Sequence, residues 1–163
     1  MTGSFHIRPF QREDVPALLA LMRDLAVFEG YIDGFRVTEA DLIEHGLGPS
    51  PRFGAFVAEQ NGRLVGMAVH YTIPWTYDLR PTLVLKELFV AETARGLGVG
   101  QALMRALARE AERIGAPRLI WTVLPDNEPA RHFYAALGAQ PDRAWEPWSL
   151  NADAIRKLSR VES

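Results

Sequence analysis

The sequence predicts an α/β fold on two observations. Along the 163 residues, short apolar runs typical of strands alternate with segments whose apolar residues recur with helical period. In addition, the apolar run 83–90 leads into the glycine-rich turn 95–100, and a helical segment follows directly. A strand, a glycine turn and a helix in that order leave unpartnered backbone N–H groups at the positive end of the helix dipole. Such a turn binds anions, so a phosphate-bearing ligand is expected.

The first half of the chain shows three apolar runs with strand character and two segments with helical period. The predicted strands are 5–9, 53–59 and 64–71, and the predicted helices are 15–28 and one that begins near 39. Gly30 and Gly46 are expected to end these helices, and Thr38 with Asp41 resembles a capping arrangement for the second. Asn61-Gly62 is a strong signal for a tight hairpin turn between the second and third strands.

The second half continues the alternation. A structured loop is predicted over 73–81, because it contains Pro74 and Pro81, and the strand 83–90 follows it. The predicted elements after that are a helix 98–114 that ends at Gly115, a strand 119–124, a helix 128–137 that ends at Gly138, a last strand 145–150 and a short helix capped by Asn151.

Composition limits the classes of protein. A length of 163 residues with 48% hydrophobic residues fits one domain over 1–163. A net charge of −2 without a lysine-rich stretch argues against a nucleic-acid partner. The absence of cysteine excludes disulfides, a thiolate nucleophile and cysteine metal sites, and the four histidines show no metal-ligand spacing. No signal-peptide or membrane pattern opens the chain, so a cytoplasmic location is the default expectation.

The spacing of the glycines narrows the choice of phosphate ligand. Residues 95–100 read Arg-Gly-Leu-Gly-Val-Gly, and Gln101 stands where a P-loop needs lysine. A dinucleotide fingerprint needs a third glycine at a spacing that this turn lacks, and an acidic residue at the end of the next strand. The remaining pattern, Arg-x-x-Gly-x-Gly, resembles the pyrophosphate loop of the GNAT superfamily of acyl-CoA N-acyltransferases.

The resemblance extends over most of the chain. Asn127-Glu128-Pro129-Ala130, followed by Phe133-Tyr134 and by 137–139, is similar to the fourth-helix motif of that superfamily. The strand 85–90, the segment 23–29 and the Glu146-x-Trp148 pair are similar to the spermidine/spermine (diamine) N-acetyltransferase branch and its thialysine-acetylating relatives. The resemblance implies the GNAT fold, with a mixed, mostly antiparallel sheet whose central strands splay apart between flanking helices.

The resemblance also implies an activity, which is transfer of an acetyl group from acetyl-CoA to a primary amine of a small molecule, by direct attack in a ternary complex and without a metal. In this family the loop amides bind the pyrophosphate, and the edge of the strand before the loop pairs with pantetheine. The cofactor-binding residues implied in this way are Leu88, Phe89, Val90, Arg95, Gly96, Leu97, Gly98, Val99, Gly100, Asn127, Pro129 and Tyr134.

Two residues are candidates for catalysis. The resemblance implies that Tyr134 donates a proton to the departing thiolate, and the alternative role of Tyr134 is ring packing against the sheet. Glu87 is the expected base. Strand alternation places Leu83, Leu85, Glu87 and Phe89 on one face, where apolar neighbours would raise the pKa of the carboxyl. An ion pair with a lysine or arginine is the alternative role of Glu87.

The resemblance implies a substrate site that contains Glu29, Glu87, Glu146 and Trp148, and carboxylates and an aromatic face can attract an ammonium group. The diamine branch carries two adjacent acids where this chain has Lys86 and Glu87, and a cation there would repel a long polyamine and favour an acceptor with a carboxylate. Two other functions stay open, acetylation of a protein lysine or N-terminus and acyl-CoA binding without turnover. The resemblance implies a homodimer.

Overall fold

The structure, a computed structural model, describes residues 3–160, which form two compact units, one ending at Thr122 and one beginning at Val123. The first unit holds a five-stranded sheet in the order β1-β2-β3-β4-β5. The strands are β1 (Phe5–Pro9), β2 (Gly54–Gln60), β3 (Arg63–Ile73), β4 (Thr82–Val90) and β5 (Arg118–Ile120). The first four strands pair antiparallel in chain order, and β5 joins β4 in parallel, so the predicted α/β class and mixed, mostly antiparallel sheet are confirmed.

Within the described part of the chain the helices follow the predicted order. They are α1 (Val15–Glu29), α2 (Glu39–Leu47) and α3 (Val99–Arg113) in the first unit, and α4 (Glu128–Ala136) and α5 (Ala152–Ser159) in the second. The predicted caps are present. Thr38 Oγ1 accepts the N–H of Asp41 at 3.2 Å, while the Asp41 carboxylate accepts the N–H of Thr38 at 2.8 Å. Asn151 caps α5 by accepting the N–H of Ala154 at 2.9 Å.

The hairpin between β2 and β3 turns at the predicted dipeptide. Asn61 has φ 52° and Gly62 has φ 75°, and Gln60 pairs with Arg63 across the turn. Two consecutive residues with positive φ give the tight turn whose twist matches that of the flanking strands. The prediction from Asn61-Gly62 is therefore confirmed.

The sheet is covered on both faces. On one face α1 and α2 form a hydrophobic core with β2 and β3, and α3 packs on the opposite face through Leu103 and Leu107, which are fully buried. The buried residues of the first cluster are Phe10, Val15, Leu18, Leu21, Met22, Leu25, Leu42, Ala55, Val57, Met67 and Val69.

The end of α1 is fixed by a glycine in the left-handed conformation. Gly30 has φ 82°, its N–H donates to Val27 O at 3.2 Å, and the N–H of Tyr31 donates to Ala26 O at 2.9 Å. This Schellman arrangement satisfies the last carbonyls of the helix and holds the chain on both sides of Gly30 in one conformation. Glu29 and Tyr31 are thereby held in place.

The prediction that Gly46 ends α2 is wrong, because the helix runs through Gly46 to Leu47. The reason for a glycine there is space. A Cβ at Gly46 would lie 2.6 Å from Cζ of Phe10 and 2.7 Å from Cζ of Phe53, so the helix approaches these two stacked rings closely.

Two predicted strands differ from the structure. The strand predicted over 119–124 is shorter, since β5 spans Arg118–Ile120 and ends after three paired residues. The strand predicted over 145–150 is wrong, because no strand lies in the described part of the chain after β5. Pro147 removes a donor from that run, and an apolar run forms a strand only where a partner strand is available.

We expect Gly46→Ala to lower the free energy of unfolding by about 1–3 kcal/mol, because the added methyl group would overlap the Phe10 and Phe53 rings. Glycine to alanine inside a helix otherwise stabilises by up to about 1 kcal/mol, so the sign of the change is informative. Gly34→Ala is the matched control, since no atom lies within 4 Å of the place that its Cβ would take. Urea unfolding measures both variants, and a Gly46→Ala protein as stable as the parent would contradict the packing argument.

Candidate active site

The edge of β4 opens partway along the strand. Arg118–Ile120 of β5 pairs in parallel with Thr82–Val84, and from Leu85 onward β4 pairs with β3 alone among the described strands. The backbone groups of 85–89 on the β5 side therefore have no strand partner among the described residues, and a ligand can pair with such an edge as a strand does. Leu88, Phe89 and Val90, which the sequence assigned to the cofactor, lie on this half-buried stretch.

A β-bulge lies at the point where the strands part. Val69 of β3 pairs with Glu87, and the next residue, His70, pairs with Leu85, so Lys86 is the extra residue on β4. Paired residues on neighbouring antiparallel strands share a face, and a bulge shifts the alternation by one residue. Glu87 therefore lies on the same face as Val69, and Leu85 lies on the opposite face with His70.

This register corrects the expected alternation. Leu83 and Leu85 do not share a face with Glu87, which lies on the face of the core formed by α1 and α2. Phe89, two residues further along β4, packs against that same core. The sequence shows no signal for the bulge, because strand periodicity assumes unbroken pairing.

Glu87 is half-buried, and burial raises the pKa of its carboxyl above the ordinary range for glutamate. The neighbouring charge of Lys86 lowers this pKa, whereas the charge of Glu29 at the end of α1 raises it. Within residues 3–160 no salt bridge or side-chain hydrogen bond reaches the Glu87 carboxylate. The ion-pair alternative for Glu87 is therefore absent from the described structure, and the carboxyl is able to exchange a proton.

Tyr31 belongs to the same group of residues. Burial, and then the charges of Glu87 and Glu29, raise the pKa of its phenol to about 12. At neutral pH the phenol is therefore protonated and can donate a hydrogen bond. The structure thus brings Glu29, Glu87 and Tyr31 together in the first unit. Tyr31 was not predicted from the sequence, although its place directly after the helix-ending Gly30 and the acidic Glu29 was a signal.

The loop before α3 has the geometry of an anion site. Gly96 has φ 77° and Gly98 has φ 84°, values that favour glycine, and no atom lies within 4 Å of a Cβ built on either residue. Gly98 is the residue that caps α3, and no side chain caps the helix there. The N–H groups of Val99, Gly100 and Gln101 precede the first intrahelical hydrogen bond and are left for a ligand.

The loop is anchored on both sides. Arg95 donates through Nε to Val90 O at 3.2 Å, which ties the loop to the end of β4. Val99 is 1% exposed, and a Cβ at Gly66 of β3 would lie 3.0 Å from its Cγ1. Glycine at position 66 therefore lets the first turn of α3 approach the sheet. Gly66 was not predicted from the sequence, although a lone glycine inside an apolar strand often marks such a close approach.

In the second unit α4 begins at the predicted motif. The Asn127 side chain accepts the N–H of Ala130 at 3.2 Å, and Pro129 occupies the first turn, where a missing N–H costs nothing. Tyr134 lies on α4 and is half-buried, and its ring contacts the ring of Phe133 with centroids 5.3 Å apart. The helix cap predicted as one role of Asn127 is confirmed.

The acidic-aromatic pair predicted for the substrate lies between α4 and α5. Glu146 is exposed, and Trp148 is 89% exposed. A tryptophan in a protein core, or one that packs against a helix, is usually much more buried. Core packing, the alternative role for Trp148, is therefore not what the described residues show. Both side chains are accessible to a solute.

The family of the chain follows from comparison with known proteins. Residues 17–139, which are 123 of the 163 residues, match the model of the acetyltransferase (GNAT) family. The chain belongs to the GNAT family. Members of this family are acyltransferases that use acetyl-CoA as co-substrate, and the chain is an acetyltransferase.

The curated relatives of this GNAT acetyltransferase have names that describe acetylation of amines. It is 31% identical over 155 residues to human spermidine/spermine N(1)-acetyltransferase-like protein 1, a match that covers 90% of the chain and only 22% of that protein. It is 28% identical over 168 residues to mouse thialysine N-epsilon-acetyltransferase, a match that covers 96% of the chain and 98% of the mouse enzyme. The chain thus spans about a fifth of the human relative and nearly all of the mouse enzyme.

A solved structure confirms the fold of the GNAT acetyltransferase. An integron cassette protein from the V. cholerae mobile metagenome superposes with a TM-score of 0.79 at 24% identity, covering 97% of this chain and 99% of the other. At this identity the likeness establishes the fold alone.

Neither a metal cluster nor a membrane-spanning helix is found in the GNAT acetyltransferase over residues 3–160. No group of three or more histidine, aspartate or glutamate side chains is placed to hold a metal ion there. Among the helices described, none is both long and apolar enough to cross a bilayer.

We expect Glu87→Gln to raise the urea midpoint of unfolding at pH 7, because the glutamine removes a half-buried charge. The folded-state pKa of Glu87 lies above its unfolded-state value of about 4.3. The stabilising contribution of the carboxyl is therefore complete below the unfolded-state pKa and is lost as the pH rises through the folded-state pKa.

The difference between parent and Glu87→Gln should accordingly widen from pH 4 to pH 8 in urea titrations. Glu112→Gln, which changes an exposed glutamate of α3, is the matched control and should leave the midpoint near that of the parent. Parent and Glu87→Gln proteins of equal stability at every pH would show that Glu87 has an ordinary pKa.

Proposed function

We propose that the protein transfers the acetyl group of acetyl-CoA to a primary amine of a small molecule, by direct attack within a ternary complex. The observation that carries the proposal is Glu87, a half-buried carboxyl without an ion-pair partner in the described chain, at the place where β4 leaves β5. A proton acceptor beside an open strand edge is what acetylation of an ammonium group requires.

The assignment of acetyl-CoA binding begins with the loop before α3. No atom lies within 4 Å of a Cβ built on Gly96 or Gly98, and the amides of 96–100 at the start of α3 would donate to the pyrophosphate oxygens. Arg95 and Leu97 lie on the same loop. The free edge at Leu88, Phe89 and Val90 would pair with the amides of pantetheine. The proposed set of cofactor-binding residues also includes Asn127, Pro129 and Tyr134. The Asn127 cap fixes the first turn of α4, which supports this part of the proposal.

The proton balance of the reaction assigns two roles. Glu87 takes a proton from the acceptor ammonium, the amine nitrogen then attacks the thioester carbonyl carbon, and the carbon–sulfur bond breaks. The departing thiolate takes a proton, and Tyr134 is our candidate donor, because a phenol hydroxyl can donate. The second proton that the nitrogen loses as the amide forms then restores the phenol. The raised pKa of Glu87 supports its role, since a carboxyl of ordinary pKa is a weaker base.

The proposed acceptor site uses negative and aromatic groups. Glu29 lies near enough to Glu87 to raise its pKa, so the first unit offers two carboxylates to a cation. Glu146 and Trp148 offer a further carboxylate and an exposed indole face to the same kind of substrate. Small diamines and thialysine-like amino acids, which bear a primary amine at the end of a short chain, are the acceptors that fit this chemistry, and the name of the mouse relative points the same way.

We expect the parent to release CoA thiol from acetyl-CoA with at least one amine among putrescine, spermidine, thialysine, lysine, ornithine, an aminoglycoside and a lysine peptide. Glu87→Gln should lower kcat/KM about 10²- to 10⁴-fold through loss of the base, and Tyr134→Phe should lower kcat with acetyl-CoA binding retained. Phe133→Leu, next to Tyr134, is the matched control for packing on α4.

Turnover restricted to the lysine peptide would instead favour protein acetylation. Tight acetyl-CoA binding without turnover of any amine would favour a binding module and would overturn the proposed function.

We expect Gly98→Ala to weaken acetyl-CoA binding about tenfold or more in calorimetry, because alanine disfavours the φ of 84° and the loop amides would turn away from the phosphates. Gly62→Ala, in the hairpin turn far along the chain from the loop, imposes the same kind of backbone strain at φ 75° and should leave that affinity unchanged. Equal affinity in the Gly98→Ala and parent proteins would remove the pyrophosphate assignment.

The proposal does not depend on domain count, oligomeric state, cellular location or further partners. A single domain over 1–163, a homodimer, a cytoplasmic location and the absence of nucleic-acid and membrane partners stay predictions from the sequence.

A further inference from the structure

Lys86 is the extra residue of the β4 bulge. It is exposed, it directly precedes Glu87, and it lies where β4 parts from β5. Among residues 3–160 no carboxylate forms a salt bridge with its ammonium group. The ammonium group of Lys86, beside the unpaired edge of β4, therefore has no carboxylate partner in this part of the chain.

The surroundings of Lys86 are otherwise acidic. Glu87 and Glu29 lie close enough to influence one another electrostatically, and the charge of Lys86 reaches Glu87 as well. Tyr31 adds a protonated phenol to the same group. The first unit thus presents two negative groups with one positive group at their border, an arrangement that complements a molecule carrying both ammonium and carboxylate groups.

We propose that Lys86 determines acceptor specificity by attracting a carboxylate, so that the enzyme prefers amino acids with a side-chain amine over diamines of the same length. The proposal rests on the proposed function, since it names the substrate class of the same site. Glu29 and Glu87 attract the ammonium groups that both kinds of acceptor share, and Lys86 distinguishes the two kinds by attracting one and repelling the other.

Two pairs of acceptors isolate this effect. Ornithine differs from putrescine, and lysine from cadaverine, by a carboxylate alone. We expect the parent to show a higher kcat/KM for the amino acid in at least one pair, and Lys86→Gln to lower the ratio of the two values about 1.5- to 5-fold, the effect of one exposed ion pair. Lys86→Glu should lower the ratio further, and added salt should reduce the preference of the parent.

The ratio is the decisive quantity, because removal of Lys86 also changes the proton affinity of Glu87, and that change affects both members of a pair alike. Arg63→Gln, which removes a cation from the hairpin end of β3, is the matched control and should leave the ratio unchanged. The KM for acetyl-CoA should stay constant in all variants, since Lys86 is not assigned to the cofactor.

The outcomes separate the two proposals. Turnover with a ratio that Lys86→Gln and Lys86→Glu leave unchanged would overturn the role of Lys86 while the acetyltransferase function stands. If no small amine is turned over, the proposed function fails, and calorimetric affinities of the same pairs in the presence of CoA then decide the inference. Equal affinity for the two members of each pair in the parent would overturn it.

Discussion

The backbone edge that β4 exposes beyond Val84 determines how the candidate site is built. Each peptide N–H and C=O group needs a partner, and β5 supplies partners to only three residues of β4. The rest of that edge leaves donors and acceptors in a strand-like row, and a ligand with amides along an extended chain can satisfy them. Pantetheine has amides along an extended chain, and the proposed function therefore assigns acetyl-CoA to this edge of the sheet.

The bulge at Lys86 determines which face of β4 carries the Glu87 carboxyl. By shifting the alternation of β4, it places Glu87 on the face of α1 and α2, near Glu29 and Tyr31. A half-buried carboxyl with a raised pKa destabilises the folded chain at neutral pH, and the large apolar core on that face offsets this cost. The Schellman turn at Gly30 contributes by holding Glu29 and Tyr31 in one conformation.

Glycine has two distinct uses around the loop before α3. Gly96 and Gly98 are required by backbone conformation, since each has a positive φ and open space in front of it. Gly66 is favoured by packing, since a Cβ there would lie 3.0 Å from Cγ1 of Val99 at the start of α3. The first use shapes the loop before α3, and the second lets the start of α3 lie close to β3.

The sequence by itself determined every feature whose cause is local. The turn at Asn61-Gly62, the cap at Thr38, the helix end at Gly30 and the glycine turn before α3 each follow from the conformation or hydrogen bonding of a few adjacent residues. The candidate base Glu87 was also named from the sequence, although the bulge at Lys86 corrects the neighbours expected for it along the strand.

Only the tertiary structure decided the features that depend on a partner element. The length of β5 is set by where β4 and β5 part, and the helix continues through Gly46 because Phe10 and Phe53 pack there. The face of Glu87 follows from a register shift between β3 and β4, and the proximity of Tyr31 to it follows from how α1 packs on the sheet. Interactions between residues distant in sequence leave no periodic or adjacent pattern in the chain, so these features required the folded structure.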